Sequence, residues 1–176
     1  MIEASRQKFR NVIRVVQVIK EESYENRFYV VTKYKEGGTL CDFRRLVYSI
    51  DISLSEREVA IKHIMIDVAQ GLHDLHRNGI IHRDIKPTNI LIDSKKLKAR
   101  ATIADLGIAL KLSKKTDTSK SSIGSHGFRA PEVLLRRPYK HSFDVFSLGC
   151  VLYWLLTGNI PFYHIDRQKY IEIVLF

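Results

Sequence analysis

Apolar and polar positions along this chain separate short extended segments from a few helices. Val12 to Ile19 and Phe28 to Tyr34 are runs rich in Val, Ile and aromatic residues, divided by the charged stretch Lys20 to Arg27. β-branched and aromatic content on both sides of a polar turn predicts an antiparallel pair of strands. Glu36-Gly37-Gly38-Thr39 interrupts the second run, and Leu40 to Tyr48 then reads as a short amphipathic helix. Ile61, Ile64, Met65, Val68, Leu72 and Leu75 recur at helical spacing, which predicts a long helix with one apolar face. Ser55-Glu56-Arg57-Glu58 has the form of a capping box at its start, and Asn78-Gly79 supplies a left-handed stop.

Ile80-Ile81, Ile90-Leu91-Ile92 and Ala101 to Ala104 are short apolar runs that read as buried β segments. Lys111 to Ser125 is a polar loop rich in Ser, Thr and Lys. Ser142 to Thr157 is apolar on nearly every side, which predicts a helix in the middle of the fold, ended by Gly158 and Pro161. Lys169 to Phe176 begins a further helix, and no internal repeat is visible.

Composition narrows the class. At 176 residues, 45% hydrophobic and 27% charged, the chain is an ordinary soluble domain, long enough to bury roughly 70% of its unfolded surface. The longest apolar run, Val145 to Leu156, is too short to span a bilayer, and Met1 to Arg10 is polar and basic, unlike a signal peptide. Cys41 and Cys150 lie far apart without metal-site spacing, so zinc and a disulfide framework are not expected and a reducing compartment is. Net charge is +10, with Lys95, Lys96, Lys98, Arg100, Lys111, Lys114, Lys115 and Lys120 in one stretch. No aromatic residues interleave there as single-strand binding favours, so nucleic acid is not an expected partner. His63, His73 and His76 on or near the long helix lack a carboxylate constellation and read as structural rather than metal-binding.

The candidate chemistry lies in three ordered strings: His82-Arg83-Asp84-Ile85-Lys86-Pro87-Thr88-Asn89, Asp105-Leu106-Gly107 and Ala130-Pro131-Glu132. Two carboxylates and an amide stand at a spacing suited to magnesium and a phosphate-acceptor hydroxyl. In this order, with β segments between, they resemble the signature of the protein kinase family, and the resemblance covers nearly all of the chain. It implies an α+β, two-lobed fold, represented by the end of the small lobe (two strands) and most of a mainly helical large lobe. On that reading residues 1–32 are a small-lobe remnant, 33–40 a hinge and 41–176 the large lobe, truncated at both ends.

The resemblance also implies roles. Asp84 would accept or orient the proton of the substrate hydroxyl, with Lys86 beside the moving phosphate. Asn89 and Asp105 would hold Mg2+, and ATP would be the phosphate donor. Thr32 matches the gatekeeper of the nucleotide pocket, Lys33, Tyr34 and Lys35 the hinge, and Leu91 the residue under the adenine ring. His82 would pack in the core, and Asp144 would anchor the catalytic loop from the central helix. In the activation segment, Ser125 would bond Asp84 and Lys86, while Glu132 would pair with an Arg beyond Phe176. Arg83 would receive a phosphate placed on Thr116, Thr118, Ser119, Ser121 or Ser122. Leu106 replaces the expected Phe and fills the same apolar space.

Lys at position 86 resembles the serine/threonine type, so the implied activity is ATP-dependent phosphorylation of Ser or Thr in a protein substrate. Neither a G-x-G-x-x-G loop nor a strand Lys paired with a helix Glu is visible, so these residues alone are expected to transfer little or no phosphate. Two other readings stay open: a catalytically inactive, pseudokinase-like binding module, and a basic nucleic-acid-binding domain. Leu97 to Asp105, Asp144 to Val151 and Asn11-Val12-Ile13-Arg14 further resemble the kinase–endoribonuclease sensors of the unfolded protein response. The implied location is cytoplasmic, including the cytosolic part of a longer membrane-anchored receptor; oligomeric state is open.

Overall fold

A computed structural model describes residues 9–21, 27–112, 123–164 and 166–175. Val- and aromatic-rich segments form β1 (Val15–Lys20) and β2 (Phe28–Thr32), paired antiparallel from Val15 opposite Thr32 to Lys20 opposite Phe28. Val12 and Ile13, placed in the first strand by their composition, do not belong to it. Asn11 takes a positive φ of 55° and redirects the chain. Ile13 N then donates to Ile103 O and Ile103 N to Asn11 O, each at 2.7 Å. Burial explains the difference, since Val12 and Ile13 are packed into the large body at 8% exposure each. The approach is close enough that a Cβ at Gly71 would fall 2.7 Å from the Asn11 carbonyl oxygen, so the long helix needs glycine at that point.

β3 (Gly38–Thr39), β5 (Ile90–Ile92) and β6 (Ala101–Ile103) make a three-stranded antiparallel sheet in the order β3-β5-β6. β4 (Ile80–Ile81) pairs with β7 (Leu110–Lys111), so the polar loop begins one residue later than its composition suggests. α1 (Leu40–Ser49) starts from Thr39, whose backbone N–H donates to the Asp42 carboxylate at 2.8 Å.

The long helix α2 (Leu54–Arg77) is capped two residues before the predicted position. Ser53 is its cap: Glu56 N donates to Ser53 Oγ at 3.2 Å, and Ser53 N donates to Glu56 Oε2 at 2.9 Å. Two Ser-x-x-Glu strings overlap here, and only the earlier one puts its serine outside the helix, where the orphan amides are. The helix closes at Asn78 with Gly79 at φ 71°.

α3 (Pro131–Leu134), α4 (Ser142–Thr157) and α5 (Arg167–Leu175) follow. One apolar cluster joins Phe43 and Val47 of α1, Ile64, Val68 and Leu72 of α2, Ile90 and Ile103 of the sheet, and Val151 and Leu155 of α4. Each fully buried Leu, Ile or Phe in it contributes about 1.5–3 kcal/mol of transfer free energy. α4 departs from its predicted burial on all sides. Phe143, Asp144, Ser147, Cys150, Val151 and Leu155 are buried, but Val145 is 58% exposed and Leu156 47%. Apolar composition shows which residues tolerate burial, not which neighbours arrive to cover them.

Candidate active site

The site is assembled on a buried carboxylate. Asp144, on the first turn of α4, is 0% exposed. Its Oδ2 accepts from His82 N and from His76 Nε2, both at 2.8 Å, and its Oδ1 accepts from Arg83 N at 2.9 Å. A buried carboxylate is tolerable only with such donors, and here they fix the backbone leading into Asp84. Arg83 sits at φ 70°, a strained left-handed conformation for a side-chain-bearing residue. The two amide bonds to Asp144 hold it there.

His82 is fully buried. Its Nε2 faces Ala104 O at 2.9 Å, and its Nδ1 lies 3.2 Å from Asp84 N, an N–H donor. One ring nitrogen must therefore donate and the other accept, which defines a neutral imidazole with hydrogen on Nε2. Burial holds its pKa below the usual histidine value, against the pull of Asp144 and other nearby carboxylates. His141 is shifted the same way, by burial first and the neighbouring His76 second. The unfolded chain then binds these protons more readily than the folded one. Stability is expected to be complete above pH ~6.5 and to fall as pH drops through the ordinary histidine range. Urea unfolding at neutral and mildly acidic pH measures this. His82→Phe should flatten the slope, and an unchanged slope would contradict the assignment.

Asp84 carries the densest contacts. Ser125 Oγ donates to Asp84 Oδ1 at 2.7 Å, and Lys86 Nζ lies 2.7 Å from Oδ2. Asn89 Nδ2 donates to both Oδ2 and the backbone O of Asp84, each at 2.9 Å. Lys86 Nζ also donates to Ser125 Oγ at 2.8 Å, closing a triangle. The 3-10 turn Pro87–Asn89 makes this possible by bending the chain back on itself, with Pro87 at its first position and Asn89 N bonded to Lys86 O. Burial, the largest single influence, opposes ionisation of Asp84, but the bonds from Lys86, Ser125 and Asn89 with the Lys86 charge outweigh it and hold the pKa below the usual value.

Asp105 joins the group through the sheet. Ala104 N donates to Asn89 O at 2.8 Å, so Asn89 and Asp105 lie at neighbouring strand ends. Asp105 has φ 61°, and its Oδ1 accepts from Gly107 N at 3.1 Å. Leu106 is in the apolar core at 8% exposure. Thr32 ends β2, and Lys33 to Lys35 run on without regular structure. Tyr34 is 84% exposed, whereas Lys35 Nζ donates to Thr102 Oγ1 at 2.9 Å. Leu91 is half-buried opposite Thr102.

The remaining activation-segment positions are not brought into the triangle. Glu132 sits on α3 with Ser142 Oγ 3.4 Å from its Oε1. Arg83 Nε donates to Ile108 O at 2.6 Å, so this guanidinium already has a carbonyl partner. Thr116, Thr118, Ser119, Ser121 and Ser122 lie outside the described residues. Sequence reasoning treated His76 only as structural and missed its bond to Asp144. The available signal was its place one residue after buried Leu75, on the last turn of an amphipathic helix.

A family model described as protein kinase domain matches residues 2–175. The chain is 32% identical over 161 residues to the calcium/calmodulin-dependent protein kinase type II alpha chain of Drosophila melanogaster, covering 90% of this chain and 28% of that one. It is 33% identical over 151 residues to the serine/threonine-protein kinase STY46 of Arabidopsis thaliana, covering 84% and 24%. It is 36% identical over 166 residues to the serine/threonine-protein kinase cds1 of Schizosaccharomyces pombe, covering 91% and 34%. The chain thus spans between about a quarter and a third of the length of these relatives. It belongs to the protein kinase family, and its α+β architecture of a few strands before a mainly helical body fits that family. Among the described residues no helix is long and apolar enough to cross a membrane.

Proposed function

We propose that this domain transfers a phosphoryl group from ATP to a serine or threonine hydroxyl of a protein. The observation that carries the reading is the Asp84–Lys86–Ser125–Asn89 network. A carboxylate offers about four acceptor positions. Ser125, Lys86 and Asn89 occupy three of them, which leaves one, with the group held ionised, to take a substrate hydroxyl and orient or receive its proton. Lys86 has three N–H donors. Two are spent on Asp84 and Ser125, and the third can meet an oxygen of the transferring group. Ser125 ties these two residues together, so both are positioned before substrate arrives.

Asn89 and Asp105 suit magnesium, which prefers hard oxygen ligands. The Asn89 amide nitrogen is committed to Asp84, which directs its carbonyl oxygen to any cation. Asp105 keeps Oδ2 beyond its bond to Gly107. Bound there, the ion would neutralise charge on the phosphates of ATP. Thr32 and Lys33 to Lys35 would border the base, with Leu91 beneath it. The serine/threonine preference rests on Lys86 and on the names of the relatives. Those relatives are of several kinds, so the kinship with unfolded-protein-response sensors stays outside this proposal.

Thermal unfolding with ATP, with and without magnesium, tests the assignment. Magnesium is expected to add stabilisation through linkage, and Asp105→Asn to remove the added part. Equal stabilisation by ATP in all cases would count against it.

A further inference from the structure

We infer that the Lys35 side chain reads the base of the phosphate donor, and that it admits purine triphosphates with a carbonyl at C6, ITP and GTP, alongside ATP. This rests on the phosphoryl-transfer reading above, in which a base lies over Leu91. The strand pair β5 and β6 has two faces. Ile90, Ile92, Ala101 and Ile103 point into the apolar core, each at 1% exposure or less. Leu91 and Thr102 stand on the other face, because alternate residues of a strand share a side and these two are paired directly. The ladder continues through the Asn89 carbonyl and Ala104 N, so the base slot and the proposed magnesium ligands lie along one strand pair. Lys35 arrives from elsewhere in the chain, three residues beyond β2, and its Nζ donates to Thr102 Oγ1 at 2.9 Å. Side chains directly opposite on paired strands have Cβ atoms about 4.5–5.5 Å apart. The ammonium therefore lies one side chain's width from Leu91, within reach of a base resting there.

Lys33 and Tyr34, its neighbours, are exposed, so Lys35 is the side chain of this segment that turns inward. It is half-buried, yet Thr102 Oγ1 is its one side-chain partner among the described residues, and no described carboxylate pairs with it. Lysine has three N–H donors and no acceptor, so two donors remain to face the slot. A charge partly withdrawn from water gains most from an oxygen acceptor. Purine bases differ at C6. Adenine carries an amino group there, a donor that an ammonium cannot bond, whereas guanine carries a carbonyl oxygen, an acceptor that it can. Hypoxanthine, the base of ITP, has the same carbonyl. An apolar residue at position 35 would be indifferent to this exchange; lysine is not. The transfer itself is unchanged: the substrate hydroxyl oxygen bonds the γ-phosphorus, its proton goes to Asp84, and the nucleoside diphosphate leaves with the bridging oxygen.

The test uses the kinase at its natural length, with magnesium and ATP, ITP or GTP. Affinity is measured by calorimetry and transfer as kcat/KM on one protein substrate. ITP lacks the 2-amino group of GTP, so the ratio of ITP to ATP isolates the C6 oxygen. The parent should bind and use both. Lys35→Met keeps the length of the side chain and removes its charge. It should lower the ITP-to-ATP ratio about tenfold in both measurements, as loss of one charge-assisted contact does. Lys35→Arg, which keeps the donors, should retain most of the ratio. An unchanged ratio in Lys35→Met, with every nucleotide weakened alike, would assign Lys35 to holding its segment in place and overturn the inference. The parent is informative by itself: ATP bound and transferred, with ITP neither bound nor used, also overturns it. A folded parent that binds none of the three would overturn it together with the phosphoryl-transfer reading.

Discussion

Asp144→Ala is expected to lower folding stability by about 3–5 kcal/mol, the range for removing one partner from a buried charged network. The carboxylate has no exposure, and three donors converge on it from α2 and the segment leading into Asp84. Alanine would orphan the His82 and Arg83 amides and the His76 ring nitrogen together. Arg83 would also lose the bonds that offset its left-handed backbone, so the Asp84 segment would relax and activity would fall with stability. For a chain of this size the expected drop in Tm is about 10 °C. A variant melting within a degree or two of the parent would show that Asp144 does not hold the loop.

Asp84→Asn is expected to behave in the opposite way, removing activity by a factor of about 10²–10⁴ as loss of a proton-handling group does. Asparagine keeps the shape, and its single amide oxygen can still accept from Asn89 while its NH2 donates to the Ser125 hydroxyl, but it loses the charge that draws Lys86 and the basicity that a hydroxyl needs. Asp84 lies in a partly solvated site beside Lys86 rather than in the core, so the stability cost should stay near ~1 kcal/mol. Chemical denaturation of the two variants in parallel separates the roles. Similar losses of stability for Asp84→Asn and Asp144→Ala would refute the division between a positioned reactive group and a buried anchor.

Much of this fold follows from local pattern. The 3.6-residue spacing from Ile61 to Leu75 marks α2 because that period is also the period of its buried face. The bounds of α4 were legible because Gly158, at φ 83°, supplies the left-handed stop. Three features were not legible, and each depends on partners distant in sequence. Val12 and Ile13 carry strand-forming composition, but the bonds on either side of Val12, from Ile13 N and to Asn11 O, go to Ile103, some ninety residues away. Ser55 and Ser53 satisfy the same capping string, and only the tertiary path into the helix selects Ser53. The open face of α4 reflects which elements pack beside it, which its own composition does not encode.

The site divides along the same line. Asp84, Lys86 and Asn89 lie within six residues, so one turn brings them together. Asp105 follows from strand pairing between β5 and β6. The contacts His76–Asp144 and Lys35–Thr102 needed the folded chain. His76 is 68 residues from Asp144; its place after buried Leu75 on the last turn of α2 marks the ring as a packing residue but does not name this partner. The side chain of Lys35 reads locally as one more cation in a chain of net charge +10.

The most direct measurement is transfer of isotopically labelled γ-phosphoryl from ATP and magnesium to protein or peptide by the kinase at its natural length, with mass-spectrometric location of the product. Phosphoserine or phosphothreonine formed by the parent, and reduced about 10²-fold or more in Asp84→Asn, is the predicted result. Label transferred equally by the parent and by Asp84→Asn, or no transfer by a folded parent that binds ATP, would contradict the account.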